Sequence, residues 1–214
     1  MLSPDILLRA YAVGLFPMAE HHDESALYWI DPEKRGILPI ERFRIPRRLR
    51  KTVRQNRFQI QCDTAFEDVI RLCAEPTAER KDTWINQEII QLYINLFEIG
   101  RAHSVEAWLN GKLVGGLYGV ALGGAFFGES MFSRADDASK VALVHLVARL
   151  KSGGFTLLDT QFVTNHLNQF GAAEIHRSGY KHLLSSALDK SALFKKEIDH
   201  REILDFIQST TQMS

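Results

Sequence analysis

The spacing of apolar positions changes along the chain, and each change marks an expected element. Ser3-Pro4-Asp5 offers a cap and first turn for a helix that runs to about Ala12 and stops at Gly14. Phe16-Pro17-Met18, Tyr28-Trp29-Ile30 and Arg35-Gly36-Ile37-Leu38 are short extended pieces broken by Pro and Gly, the pattern of a small, turn-rich subdomain ending near Phe58. From there the pattern is mixed α/β. Phe58 to Cys62 alternates like a strand, and Thr64 to Cys73 reads as a helix. A second helix follows Trp84-Ile85, with Ile89, Leu92, Tyr93 and Leu96 on one face and Gly100 as its stop. His103 to Leu109 and Lys112 to Leu122 alternate on either side of Asn110-Gly111, a strong hairpin signal. After a turn at Gly123-Gly124, Ala125 to Met131 reads as a third antiparallel strand.

Asp136 or Asp137 is placed to cap a helix from Ala138, with Leu143, Leu146, Val147 and Leu150 as its buried stripe before Gly153-Gly154. Phe155 to Phe162 is the next strand, followed by a helix from Thr164 or Asn165 and a final apolar segment around Tyr180. Leu193, Ile198, Leu204 and Ile207 then pattern an added amphipathic helix. The expected division is a small N-terminal subdomain over 1–57, a catalytic domain over 58–188 and a helical tail over 189–214. The fold class is α+β. The order of elements resembles the N-acetyltransferase superfamily, in which a mixed sheet flanked by helices holds an acyl donor where an amine meets it.

At 214 residues, with 45% hydrophobic and 24% charged, the chain can bury a sizeable core without disulfide staples. Lys plus Arg equals Asp plus Glu at 26 each, so any polyanion affinity must come from uneven placement of charge. The placement is uneven. Arg42, Arg44, Arg47, Arg48, Arg50, Lys51, Arg54 and Arg57 occur with no acid among them. Arg47, Arg50, Lys51 and Arg54 recur at helical spacing, so a helix after Pro46 would present them as one strip suited to phosphates. A solvated helix face is the blander reading.

Cys62 and Cys73 lack metal-site spacing and form no disulfide framework, which fits a reducing cytosol. No secretory signal is visible, because Asp5 and Arg9 interrupt the first apolar residues. Leu113 to Gly128 is uncharged but carries six glycines and falls short of a membrane span. A cytoplasmic location is therefore expected. The histidines show no ligand spacing, and no metal or cofactor is expected.

The residues that look like chemistry lie between Gly128 and Gln161. Glu129 sits inside Phe127-Gly128-Glu129-Ser130-Met131-Phe132, and Asp159 and Gln161 lie two apart on an apolar strand, where strict alternation would send both side chains into the same space. His166, close to Gln161, is a further candidate. Tyr11, Trp84 and Trp108 are aromatics available to stack on a nucleobase.

Seven linked motifs make the reading specific: Ala10-Tyr11-x-x-Gly14-x-Phe16-Pro17, Trp29-x-x-Pro32, Thr83-Trp84-Ile85, the run from Gly100 to Trp108, Leu113 to Gly119, Gly128-Glu129-Ser130-Met131-Phe132-Ser133, and Asp159-x-Gln161. Together, over residues 8 to 180, they resemble the bacterial leucyl/phenylalanyl-tRNA–protein transferases. That resemblance implies an enzyme that takes Leu or Phe (or Met) from its aminoacyl-tRNA and attaches it to a protein beginning with Lys or Arg, marking the product for degradation. It also implies an acetyltransferase-like domain behind a smaller N-terminal one, with no metal or ATP. Leu117, Phe126, Met131 and Leu143 occupy the family's aminoacyl-pocket positions, although residues of these types are also core formers.

The chemistry agrees. An aminoacyl ester is already activated, and a protein α-amine, with a pKa of about 8, is partly neutral at cytosolic pH. Alignment matters more than a strong base. Gln161 is expected to accept a hydrogen bond from the amine while Asp159 orients and polarises that amide, roles the resemblance also implies. Glu129 is expected to hold an ammonium, either the donor's α-amine or the acceptor's basic side chain.

Three departures from the family pattern stand out: a chain beginning almost at Tyr11 without the usual Gly-Asp-Leu leader, Met18 where some members carry Trp, and the tail beyond Leu184. Two other readings are weaker. An acetyl-CoA-dependent enzyme would need a phosphate loop before Ala138, where Asp136 and Asp137 repel phosphate, and a non-catalytic RNA-binding module is favoured only by the basic strip.

Overall fold

Asn110 and Gly111 both take positive φ, 52° and 72°, and so make the tight turn that joins β5 (Ala102–Leu109) to β6 (Lys112–Leu122). The computed structural model describes residues 2–19, 21, 26–76 and 82–210. Around that hairpin a mixed sheet of seven strands assembles in the order β4-β5-β6-β7-β8-β3-β9. The remaining members are β3 (Lys34–Ile37), β4 (Gln59–Cys62), β7 (Ala125–Ser133), β8 (Leu157–Gln161) and β9 (Ala173–His176). Neighbours are antiparallel except β7 and β8, which run parallel because α5 (Ala138–Ser152) crosses between them. A separate pair, β1 (Phe16–Met18) and β2 (Tyr28–Ile30), forms the small N-terminal sheet.

Both faces of the large sheet are covered. One side carries α1 (Pro4–Ala12), α3 (Phe66–Ala74), α4 (Gln87–Glu98) and α7 (Arg177–Leu188), packed through Leu7, Val69, Tyr93 and Leu184. The other carries α2 (Arg47–Arg54), α5 and α8 (His200–Ser209), packed through Leu49, Leu143 and Phe206. The helix starts follow capping chemistry: Ser3 accepts the Ile6 N–H at 3.4 Å and Asn86 the Ile89 N–H at 2.8 Å.

Several expectations need correction. The first 57 residues do not close on themselves, because β3 lies inside the large sheet between β8 and β9. Gly36 makes that possible: a Cβ there would stand 2.6 Å from the Phe162 carbonyl carbon. Asp137 occupies the cap position of α5 but at φ 65° and without a capping bond. Its carboxylate takes Lys140 at 3.0 Å and Thr52 at 3.4 Å instead. The α5 stripe is a fully packed helix, with His145 and Arg149 buried as well, because α2 and α8 cover its outer side. The apolar segment around Tyr180 is the helix α7. In the tail, α7 runs on to Leu188 and α8 begins at His200; the last four residues lie outside the described ones. Both cysteines are buried, and burial pushes the Cys62 thiol up to about 12. Among the described residues no helix is long and apolar enough to cross a membrane.

Candidate active site

Strands β7 and β8 pair only from Ala125↔Leu157 to Phe127↔Asp159, although β7 continues to Ser133 and β8 to Gln161. Where they part, the sheet opens. A cavity of about 480 Å³ fills the gap, with walls drawn from both faces: Phe16, Met18 and Trp84 on one, Leu143, Leu146 and Leu158 on the other. That is the size of a small-ligand site, and parallel strands that separate are a common place for one.

Glu129 enters this gap through a bulge. Tyr118 of β6 pairs with Ser130 and Gly119 with Gly128, so Glu129 is an extra residue without a partner on β6. The bulge reverses alternation, which is why Phe127 and Phe132, five apart, pack in the same layer. Glu129 Oε1 accepts the Tyr11 hydroxyl at 2.7 Å and Oε2 the Tyr93 hydroxyl at 3.0 Å, and the two hydroxyls also contact each other. Burial raises the Glu129 carboxyl to about 7, against the lowering effect of both tyrosine bonds and with a smaller push from Asp159. Both tyrosines are held well above their ordinary range, first by burial and then by the Glu129 charge, and so stay protonated donors.

Asp159 and Gln161 do not point into one space by strand alternation. Asp159 is fully buried, and Arg35 grips it through Nη2 at 2.7 Å and Nε at 3.0 and 3.1 Å. The Tyr180 hydroxyl donates to the same carboxylate at 2.6 Å. The Arg35 guanidinium lies between the Phe16 and Tyr180 rings, 4.4 and 4.5 Å from their centres, and donates to the Gly14 carbonyl at 2.8 Å. Gln161 takes a left-handed φ of 55°, and the Phe162 N–H bonds back to the Thr160 carbonyl, closing a three-residue turn of the rare, strained kind. The turn swings the Gln161 side chain to the cavity, where Nε2 donates to Glu129 Oε1 at 3.3 Å.

Asp159 therefore does not touch the Gln161 side-chain amide, contrary to the expectation that it orients and polarises that group. It accepts the Gln161 backbone N–H at 2.8 Å and fixes the strained turn. With Nε2 committed to Glu129, the Gln161 amide oxygen has no partner among the described residues.

Other expected residues divide. Leu117, Met131 and Leu143 line the cavity, whereas Phe126 is buried between Phe155 and Phe194 and does not reach it. Trp84 lines the cavity; Trp108, half-buried on β5 opposite Gln59 of β4, does not line it, and Tyr11 is fully buried beneath Glu129 and closed to a base. Arg35, Tyr93 and Tyr180 were missed. A lone Arg between Lys34 and Gly36 reads as solvated, and Tyr93 falls on a helix's apolar face. One signal was available: a carboxylate on a buried strand demands a cation, and Arg35 lies in an extended segment able to supply it.

On α2, the side chains of Arg47, Arg48, Arg50, Lys51 and Arg54 border a shallow basin, and Arg42, Arg44 and Arg57 are exposed nearby. Arg50 is half-buried and donates to the Ile45 carbonyl at 2.7 Å. Among the described residues no carboxylate pairs with Arg47, Arg48, Lys51 or Arg54.

A mixed sheet that parts around a cavity with an apolar wall and a carboxylate–amide end is an arrangement suited to an acyl-transferring enzyme. The family model described as leucyl/phenylalanyl-tRNA protein transferase matches residues 37–185, and that of its N-terminal domain matches residues 1–33. A leucyl/phenylalanyl-tRNA–protein transferase of Paramagnetospirillum magneticum is 65% identical over 195 residues, 91% of this chain and 93% of the relative. Those of Afipia carboxidovorans and Rhodopseudomonas palustris are 55% and 57% identical, covering 98% and 91% of this chain and 95% and 85% of their own lengths. The chain belongs to the leucyl/phenylalanyl-tRNA–protein transferase family and is an aminoacyltransferase.

Proposed function

We propose that this enzyme moves Leu, Phe or Met from aminoacyl-tRNA to the α-amine of proteins whose first residue is Lys or Arg, in the cytoplasm, and so marks them for degradation. The observation that carries this reading is the cavity between β7 and β8, where an apolar wall meets the Glu129–Gln161 pair. Leu117, Met131 and Leu143 receive the aminoacyl side chain, and their flexible thioether and branched ends suit both Leu and Phe. Trp84 receives the terminal adenine.

The incoming amine donates a hydrogen bond to the Gln161 amide oxygen and attacks the ester carbon. A C–N bond forms, the C–O bond to the 3′-oxygen breaks, and the amine's proton ends on that oxygen. The Asp159–Arg35–Tyr180 cluster keeps the Gln161 turn in place, so the amide is aligned before the substrates arrive. Among the described residues that line the cavity Glu129 is the one carboxylate, and it holds an ammonium there, either the donor's α-amine or the acceptor's basic side chain. A nearby positive charge favours its ionised form. Arg47, Arg48, Arg50, Lys51 and Arg54 of α2, with Arg42, Arg44 and Arg57, hold the tRNA phosphates.

The test is transfer of label from radiolabelled leucyl-tRNA to peptides beginning Arg, Lys or Ala. Label passes to the first two only. Equal labelling of the Ala peptide would remove the acceptor assignment, and no transfer to any would remove the reading.

A further inference from the structure

Two buried polar atoms on the cavity wall meet nothing among the described residues: Thr160 Oγ1 and His166 Nε2. His166 stands in the short helix α6 (Asn165–Asn168), which Thr164 caps by accepting the Leu167 N–H at 3.3 Å, and its ring leans on Phe170 at 5.8 Å. A buried ring nitrogen without a partner is uncommon in a folded protein and persists where a ligand completes it.

The position of His166 says which ligand group that is. Thr52 of α2 donates to Asp137 at 3.4 Å, Asp137 takes Lys140 at 3.0 Å, and the Lys140 charge reaches His166. Those contacts tie the His166 edge of the cavity to α2 through Lys140, Asp137 and Thr52, while Glu129 and Gln161 form the reacting end. On the transferase reading, phosphates occupy the first and the ester the second. The piece of donor between them is the terminal ribose, whose 2′-hydroxyl neighbours the acylated 3′-oxygen.

We propose that His166 Nε2, with the ring proton on Nδ1, accepts a hydrogen bond from the 2′-hydroxyl of the donor's terminal ribose and so positions the 3′-ester beside Gln161. Burial, and then the Lys140 charge, holds the imidazole below its ordinary range, so the ring is neutral and able to accept. The group would also let the enzyme tell a ribose end from a deoxyribose end.

The test compares two leucyl-tRNA donors, one ending in adenosine and one in 2′-deoxyadenosine, both acylated on the 3′-oxygen, with the parent enzyme, His166→Ala and His166→Gln. The ratio of kcat/KM for the two donors is read within each preparation, so a partly misfolded variant does not distort it. The parent should prefer the ribose donor by about tenfold, the yield of one hydrogen bond. His166→Ala should bring the ratio close to one by slowing the ribose donor alone, and His166→Gln, whose amide oxygen can accept, should restore part of it. Equal slowing of both donors by His166→Ala, or a parent ratio already near one, overturns the assignment and leaves the transferase reading intact. A parent that uses neither donor overturns both.

Discussion

Replacing Glu129 with Gln reads the site through stability as well as activity. The carboxyl stands at about 7 in the folded chain against an ordinary 4.5, so between those values the folded state holds a proton that the unfolded state has lost. For an acid whose folded pKa is raised, stability is greatest where both states are protonated, falls as pH rises through this window, and is level above it. At 1.36 kcal/mol per unit the full loss is about 3 kcal/mol, and about 2.5 kcal/mol of it falls between pH 5 and pH 8. Glu129→Gln keeps the shape and an acceptor for one tyrosine but cannot titrate. Its stability relative to the parent should therefore improve by about 2.5 kcal/mol from pH 5 to pH 8, whatever constant offset the lost second acceptor introduces. Urea unfolding of both proteins at each pH measures this, and transfer assays on the same samples should show weakened turnover. Parallel stability curves would mean that Glu129 titrates alike folded and unfolded, and the buried ammonium-binding role would fall with it.

Gln161→Gly suits the left-handed backbone at that position, so its stability should stay within about 1 kcal/mol of the parent while turnover drops about 10² to 10⁴-fold. Thermal melts alongside single-turnover transfer separate the two, and retained turnover would refute the role of the amide. Arg35→Met strands the Asp159 carboxylate without its cation and should cost about 3–5 kcal/mol in denaturant unfolding, with Asp159→Asn added to it recovering part. Substitution of Arg47, Lys51 and Arg54 by Gln should lower tRNA affinity and flatten its log–log salt dependence by about 0.7–0.9 per lost phosphate contact, while leaving transfer from leucyl-adenosine unchanged. Met131→Ala should shift the preference among Leu, Met and Phe donors on the scale of about tenfold, and an unaltered ranking in competition assays would take Met131 out of the pocket.

The elements were largely legible because short-range rules decide them. The hairpin at Asn110-Gly111, the cap at Ser3 and the helix stop at Gly14 depend on residues within a few positions of one another. The motif set likewise pointed to Glu129, Asp159 and Gln161, and the acid-free run of cations pointed to α2. Only the tertiary structure decided how these side chains meet. A bulge opposite Gly119 aims Glu129 at Tyr11 and Tyr93, and a left-handed turn sends Gln161 away from the buried face that Asp159 occupies. Arg35 reaches Asp159 across 124 positions of sequence, and the same long-range packing leaves Phe126 in the core while admitting Leu158 to the cavity. Periodicity registers one element at a time. Bulges, strained turns and buried ion pairs are set by what neighbouring strands and helices demand of a residue, and that demand exists only once the sheet has formed.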